Sequence, residues 1–149
     1  MKRSSILGAA LSLCMLLLPA LLGAQETARY LTEEKETEKY ADIHLSLLSL
    51  AGSLSAASIP ERLFLDRLKE GVRKHAPSAR LLMALESDVS RFLFVAALID
   101  SSALKPSAET REKAIYEASI AFRLSLTKEE YRTAFAMVNT RGGGVERII

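Results

Sequence analysis

His44 and His75 are the only histidines in the 149-residue sequence, so any imidazole metal site must begin with them. A zinc site wants three or four nitrogen, sulfur or carboxylate ligands, and a helix supplies two of them when they stand at i and i+4. His44 has Tyr40 and Leu48 at those positions, and neither completes a site. His75 follows Arg73 and Lys74, whose charge repels a cation. His44 therefore reads as a solvated side chain. His75 reads as one that complements the negative end of a helix dipole. Cys14 is the sole cysteine, which rules out a disulfide within the chain and a thiolate cluster. No metal and no cofactor is expected.

Acid–base chemistry has one candidate, Glu86, with Ser87 beside it. A single glutamate works as a general acid only where a desolvated cleft raises its pKa. The pair resembles the glutamate–serine dyad of soluble lytic transglycosylases, which are exported helical enzymes. That family continues with a Gly-Leu-Met-Gln stretch and an aromatic-rich groove. Both are missing here, so the activity is not carried over and Glu86 reads as a solvated helix position. Arg141-Gly142-Gly143-Gly144 is no phosphate loop, because no strand precedes it and no Lys-Ser or Lys-Thr follows. It reads as a helix cap and hinge. No residue is assigned a catalytic role, and the chain is expected not to be an enzyme.

Arg62, Lys69, Arg73 and Lys74 are the candidate partner face. Asp66 and Glu70 are interleaved with them at helical spacing, which makes a solvated, internally paired face the first reading. Docking of an acidic protein or a lipid headgroup is the second. The formal charge of +2 comes from Lys2 and Arg3; without them cations and carboxylates are equal in number. Such a chain has no long-range field to gather nucleic acid. It also lacks tryptophan, which argues against a sugar-stacking platform.

The elements that must hold these residues start after a distinctive N-terminus. Met1-Lys2-Arg3 is basic, Ile6 to Leu22 is apolar and uncharged, and Leu22-Gly23-Ala24 closes the run before polar Gln25-Glu26. This is the layout of a secretory signal, with cleavage expected between Ala24 and Gln25. Two alternatives are an uncleaved anchor through residues 6–24, close to the length that spans a bilayer, and lipidation at Cys14. Bulky Leu13 before the cysteine disfavours the second. The protein is thus expected in the bacterial periplasm or cell envelope. Any membrane contact would come through the signal segment alone.

The sequence divides into a signal over 1–24, a frayed lead-in over 25–31, a helical domain over 32–141, and a glycine hinge and tail over 142–149. No alternating strand pattern occurs, so the fold class is all-α, a single bundle of about five helices. Thr32 is read as the cap of the first helix, whose charged half, Glu33 to Lys39, stands proud of the fold. Ile43, Leu47, Leu50 and Leu54 make its inner face. Ser58 and Glu61 form a capping box around Pro60, and the second helix, about Pro60 to His75, buries Phe64, Leu65, Leu68 and Val72. Pro77 starts the third, to about Asp100, with Leu82, Leu85, Val89, Phe92, Ala96 and Ile99 as its seam. Ser107 caps the fourth, with Ile115, Ala118 and Phe122 inward. Thr127 and Glu130 form a capping box on the fifth, with Tyr131, Phe135 and Val138 inward. Gly142 ends it.

Ser58-Ile59-Pro60, Leu65, Leu68, Glu70-Gly71, Lys74, Pro77, Leu81-Leu82 and Ala84-Leu85 resemble a helical-hairpin pattern of small exported bacterial proteins of unknown function. The resemblance covers about a fifth of the chain and implies no activity. The residues themselves predict a Glu70–Lys74 pair and, at Gly71, a close helix approach. The functional expectation is a non-catalytic interaction or scaffold module whose partner is another envelope protein. The alternative is a binder of an apolar or lipid-like ligand between helices.

Overall fold

The computed structural model describes residues 24–103 and 105–140. They form an all-α helical-bundle fold with no strand among the described residues. The expected signal segment up to Gly23, Cys14, the Gly142 cap and the glycine hinge lie outside them. Where about five helices are expected, the described residues contain six, with one 3-10 helix. They are α1 (Gln25–Glu33), the 3-10 helix (Lys35–Ile43), α2 (His44–Ala56), α3 (Glu61–Arg73), α4 (Ser78–Ser101), α5 (Ala108–Arg123) and α6 (Lys128–Thr140). The chain divides into two compact units at Leu82–Met83.

In the first unit the start of the chain departs most from expectation. Residues 25–31 are not a frayed lead-in: they belong to α1, which buries Thr27 and Leu31 behind a buried Ala24. Thr32 does not cap a helix. It sits near the C-terminal end of α1, and its hydroxyl donates back to the carbonyls of Ala28 and Arg29. Glu34 then turns extended and breaks the helix. Thr37, fully buried, donates its hydroxyl to the carbonyls of Leu31 (2.9 Å) and Glu34 (2.6 Å). Carbonyls orphaned at the end of α1 thus find a side-chain donor. In the charged run the buried residues, Thr37, Tyr40 and Ile43, recur every three positions, which matches the three-residue turn of the 3-10 helix they lie on. Tyr40 still anchors it: its ring is buried and its hydroxyl donates to the Ala76 carbonyl at 2.9 Å.

The Ser58–Glu61 capping box is not formed. Pro60 occupies the N-cap position of α3 without a side-chain cap, and Ser58 has φ 52°. The Glu61 carboxylate serves another helix. It accepts the Thr27 N–H at 2.6 Å and the Glu26 N–H at 3.3 Å, capping α1 from 34 residues away. Negative charge at that end meets both the free N–H groups and the positive pole of the helix. The rest of the unit follows the sequence. Phe64, Leu65, Leu68 and Val72 are buried, as are Ile43, Leu47 and Leu54, while Leu50 is half-buried. A Cβ at Gly71 would run into Leu81 Cδ1, which is the close approach the glycine permits.

Three connections share one geometry. Ser58, His75 and Ser125 have φ of 52°, 54° and 84°. Each follows a helix, and the next residue returns its N–H to the helix: Ile59 to the Leu54 carbonyl, Ala76 to Gly71, Leu126 to Ala121. This is the Schellman ending, with the left-handed residue usually glycine. Here a serine or histidine holds that position at a steric cost. Ser125→Gly is expected to raise stability by about 0.5–1 kcal/mol, the gain in the folded state being partly offset by glycine's freer unfolded chain. Equilibrium urea unfolding checks it; a loss of stability would mean the serine hydroxyl contributes more than the strain removes.

In the second unit α4 runs unbroken through Glu86-Ser87-Asp88. Asp88 is nearly buried and pairs with Arg91 one turn on, at 3.2 Å. Leu85, Val89, Phe92, Ala96 and Ile99 are buried as expected; on the same helix, at the end of the first unit, Leu82 is half-buried and Leu81 is buried. Ile115, Ala118, Phe122, Tyr131 and Phe135 are buried, and Val138 is half-buried. Ser107 caps α5 by accepting the Thr110 N–H. Thr127 and Glu130 form their predicted box: the Glu130 N–H donates to Oγ1 of Thr127 at 3.2 Å and the Thr127 N–H to Glu130 at 2.8 Å. Arg111 holds Asp100 through two bonds, of 3.0 and 2.8 Å, across the α4–α5 connection.

Three carboxyls are held below their usual range: Glu70 by the Lys74 ammonium, Asp100 by Arg111, and Glu130 by the Thr127 N–H. A depressed folded pKa stabilises the fold above the ordinary carboxyl value, about pH 4, and that contribution is lost as pH falls through the folded value. The melting temperature is therefore expected to fall on the acid side of about pH 4. A profile flat from there downward would mean these bonds are not made in solution.

Candidate functional site

The residues singled out for chemistry do not converge. His44 donates Nε2–H to the Thr37 carbonyl at 3.3 Å. His75 Nδ1 accepts from Lys39 Nζ at 3.3 Å, and the left-handed conformation at a helix end defines its position. Among the described residues no group of three or more His, Cys, Asp or Glu is placed to share a metal ion. Glu86 and Ser87 are both exposed, so the pair stands in water and not in a desolvated cleft.

On the partner face of α3, Arg62, Lys69, Arg73 and Lys74 are all exposed. Lys74 Nζ lies 2.6 Å from the Glu70 carboxylate, the predicted pair, and Arg67 meets the other oxygen at 2.5 Å. Lys69 Nζ stands 5.5 Å from the centre of the Tyr30 ring, a cation–π contact. The face is charged and interleaved, as its spacing indicates, rather than a bare basic patch. No helix among the described residues is long and apolar enough to cross a membrane.

One cleft with room for a ligand lies in the second unit, between α5 and α6. A cleft of about 240 Å³ is lined by Glu117, Ala118, Ile120, Ala121, Leu124, Leu126, Tyr131 and Ala134. It forms for local reasons. Ala118 and Ala121 on α5, with Ala134 on α6, offer methyl groups where larger side chains would fill the space. The Schellman turn then carries Leu124 and Leu126 past its edge, and Leu124 is 78% exposed. The wall behind is aromatic. Tyr131 packs on Phe122 (ring centroids 5.3 Å apart), on Phe94 (6.4 Å) and on Phe135 (6.4 Å). Lys128 and Arg132 lie 5.4 and 5.3 Å from the Phe94 ring, and Lys128 donates to Ser90 Oγ.

Tyr131 is the anomaly in this wall. The residue is 3% exposed, and its hydroxyl has no hydrogen-bond partner among the described residues. Burial pushes its pKa up to about 12, so the hydroxyl keeps its proton throughout the neutral range. A buried, unpaired hydroxyl is costly. Tyr131→Phe is accordingly expected to raise stability by about 1–2 kcal/mol in urea unfolding. Equal or lower stability would show that the oxygen has a partner in solution.

By helical periodicity Tyr131 and Ala118 face inward, as core and not as a site. Helical periodicity sees an apolar ring; it does not see whether the ring's oxygen finds an acceptor. The alanines carried the usable signal, since small residues three apart on α5 leave space beside the neighbouring helix. Comparison with family models, with curated proteins and with solved structures finds no match for the chain.

Proposed function

We propose that this chain is an exported, non-catalytic helical binding module of the bacterial periplasm or cell envelope, and that it takes an apolar ligand between α5 and α6. The cleft carries the reading: it is lined by alanine and leucine side chains, is larger than the cavity of about 150 Å³ that holds benzene, and opens beside an exposed leucine. For export, the support is the basic, apolar and small-residue order of the N-terminus. The position of Glu61 adds to it. Cleavage after Ala24 would place a new ammonium at the first residue of α1, next to the N–H groups that the Glu61 carboxylate already holds.

Titration of the protein with ethylbenzene tests the binding reading. The methyl resonances of Ala118, Ala121 and Ala134 are expected to shift together, and the melting temperature to rise with ligand. Unchanged methyls at saturating ethylbenzene would remove the reading. N-terminal sequencing of the envelope fraction tests export, with Gln25 expected first. A chain still beginning at Met1 would mean an anchor or no export.

A scaffold for another envelope protein is the second reading. Exposed Leu45 (84%) in the first unit and Met83 (69%) in the second favour it, since large apolar side chains on a surface can anchor a partner. Isolated exposed leucines are common, so the cleft weighs more.

A further inference from the structure

We propose that the chain's own segment Val145 to Ile149 folds back along α6 and seats its isoleucines in the α5–α6 cleft, so that an apolar ligand enters when this segment leaves. The inference rests on the reading of the cleft as an apolar binding site. The described residues make that cleft a groove open along one side. Leu124 at its edge is 78% exposed, and Ala134 on the facing helix is exposed as well. From Ala134 the apolar surface continues along α6, since Met137 lies three residues on, on the same face, and is 57% exposed. An apolar stripe thus runs from the cleft toward the last residue of the helix, Thr140.

The sequence after Thr140 matches that stripe in composition and in reach. Arg141 is followed by Gly142, Gly143 and Gly144, then by Val145-Glu146-Arg147-Ile148-Ile149. Three glycines in a row form helix poorly and have access to backbone conformations closed to other residues, which a reversal of direction needs. At 1.5 Å per helical residue, Ala134 lies about 9 Å and Tyr131 about 14 Å back from Thr140. From Val145 to Ile149 an extended chain covers about 13 Å, at roughly 3.3 Å per residue. A reversal at the glycines sets Val145 beside the end of α6 and brings Ile148 and Ile149 level with Ala134 and Tyr131, where the cleft is lined by Ala121, Leu124 and Leu126. The tether favours this occupant over a separate molecule. A segment on a short flexible linker is present at an effective concentration of the order of millimolar. Contacts too weak to draw a free peptide from solution then suffice to fill the groove.

The test compares three forms of the full chain. One is the parent. The second carries Val145→Asp, Ile148→Asp and Ile149→Asp. The third carries Gly142→Ala, Gly143→Ala and Gly144→Ala, which prolong the helix and carry the segment away from the cleft. The methyl resonances of Ala118, Ala121 and Ala134 report on the cleft, and ethylbenzene is the probe. Both variants are expected to shift these methyls relative to the parent. Both should also bind ethylbenzene about tenfold more tightly, the gain expected if the segment fills the parent's cleft about nine-tenths of the time. A synthetic Val-Glu-Arg-Ile-Ile peptide, added to the aspartate form at the millimolar level that the tether supplies, should return the methyls toward their parent positions. Ethylbenzene bound equally by all three forms, with the methyls unmoved between them, would overturn the proposal and leave the apolar-site reading standing. Methyls that move in both variants while ethylbenzene binds none of the forms would keep the segment in the cleft and remove the small-ligand reading. Parent methyl positions that change on dilution would show that the segment comes from a second copy, which overturns the contact within one chain.

Discussion

Phe92→Ala is expected to lower the unfolding free energy by about 3–5 kcal/mol. The ring is 1% exposed, and Val95, Ala96 and Ile99, further along the same helix, are buried to a similar degree. Truncation removes both the transfer free energy of the ring and the contacts of the atoms around it, since a close-packed interior closes only part of such a gap. A domain is stable by only about 5–15 kcal/mol, so this one change would take up a large share of the margin. Met83→Ala, on the same helix but 69% exposed, is the matched control and should move stability by no more than about 0.5 kcal/mol. Urea titration followed by circular dichroism reads both. A Phe92→Ala protein with the parent's midpoint would mean that α4 does not hold a core with this face.

The apolar faces were legible because burial imposes a period, and that period is written in residue types. Leu85, Val89, Phe92, Ala96 and Ile99 were legible for that reason, as were Phe64, Leu65, Leu68 and Val72. Short-range polar devices were legible too. Ser107 and the Thr127–Glu130 box close over three residues, so sequence spacing contains their whole geometry. Long-range ones were not. Glu61 stands where a capping box of its own helix would place it, yet its carboxylate goes to Thr27 and Glu26. Spacing cannot tell a local cap from one supplied across the fold. The same blindness hid α1. Its buried Thr27 and Leu31 lie four apart in an otherwise polar stretch, too few to mark a face. The Schellman turns were missed because their usual signal is glycine, and Ser58, His75 and Ser125 fill the position. The cleft was missed because it is a space between two helices, set by what Ala118, Ala121 and Ala134 lack.

Glu61→Ala is the second large effect, expected to cost about 2–3 kcal/mol. The first turn of α1 has no side-chain cap of its own, because its N-cap residue is Ala24. Two of its free N–H groups are held by one carboxylate, at 2.6 and 3.3 Å. Thr27, which makes the shorter bond, is fully buried, so water cannot replace the lost acceptor. An N-cap substitution costs about 0.5–2 kcal/mol, and hydrogen bonds to a charged group run to about 1.5–3 kcal/mol. The buried member places this case near the upper end. Glu61→Gln keeps one acceptor oxygen and loses the charge, so it should fall between alanine and the parent. Amide hydrogen exchange localises the effect: protection should drop across α1, starting at Thr27, and stay unchanged in α5 and α6. Equal protection of Thr27 in Glu61→Ala and the parent would show that the cap is not made in solution. The helix would then be held by the packing of Leu31 and Thr27 alone.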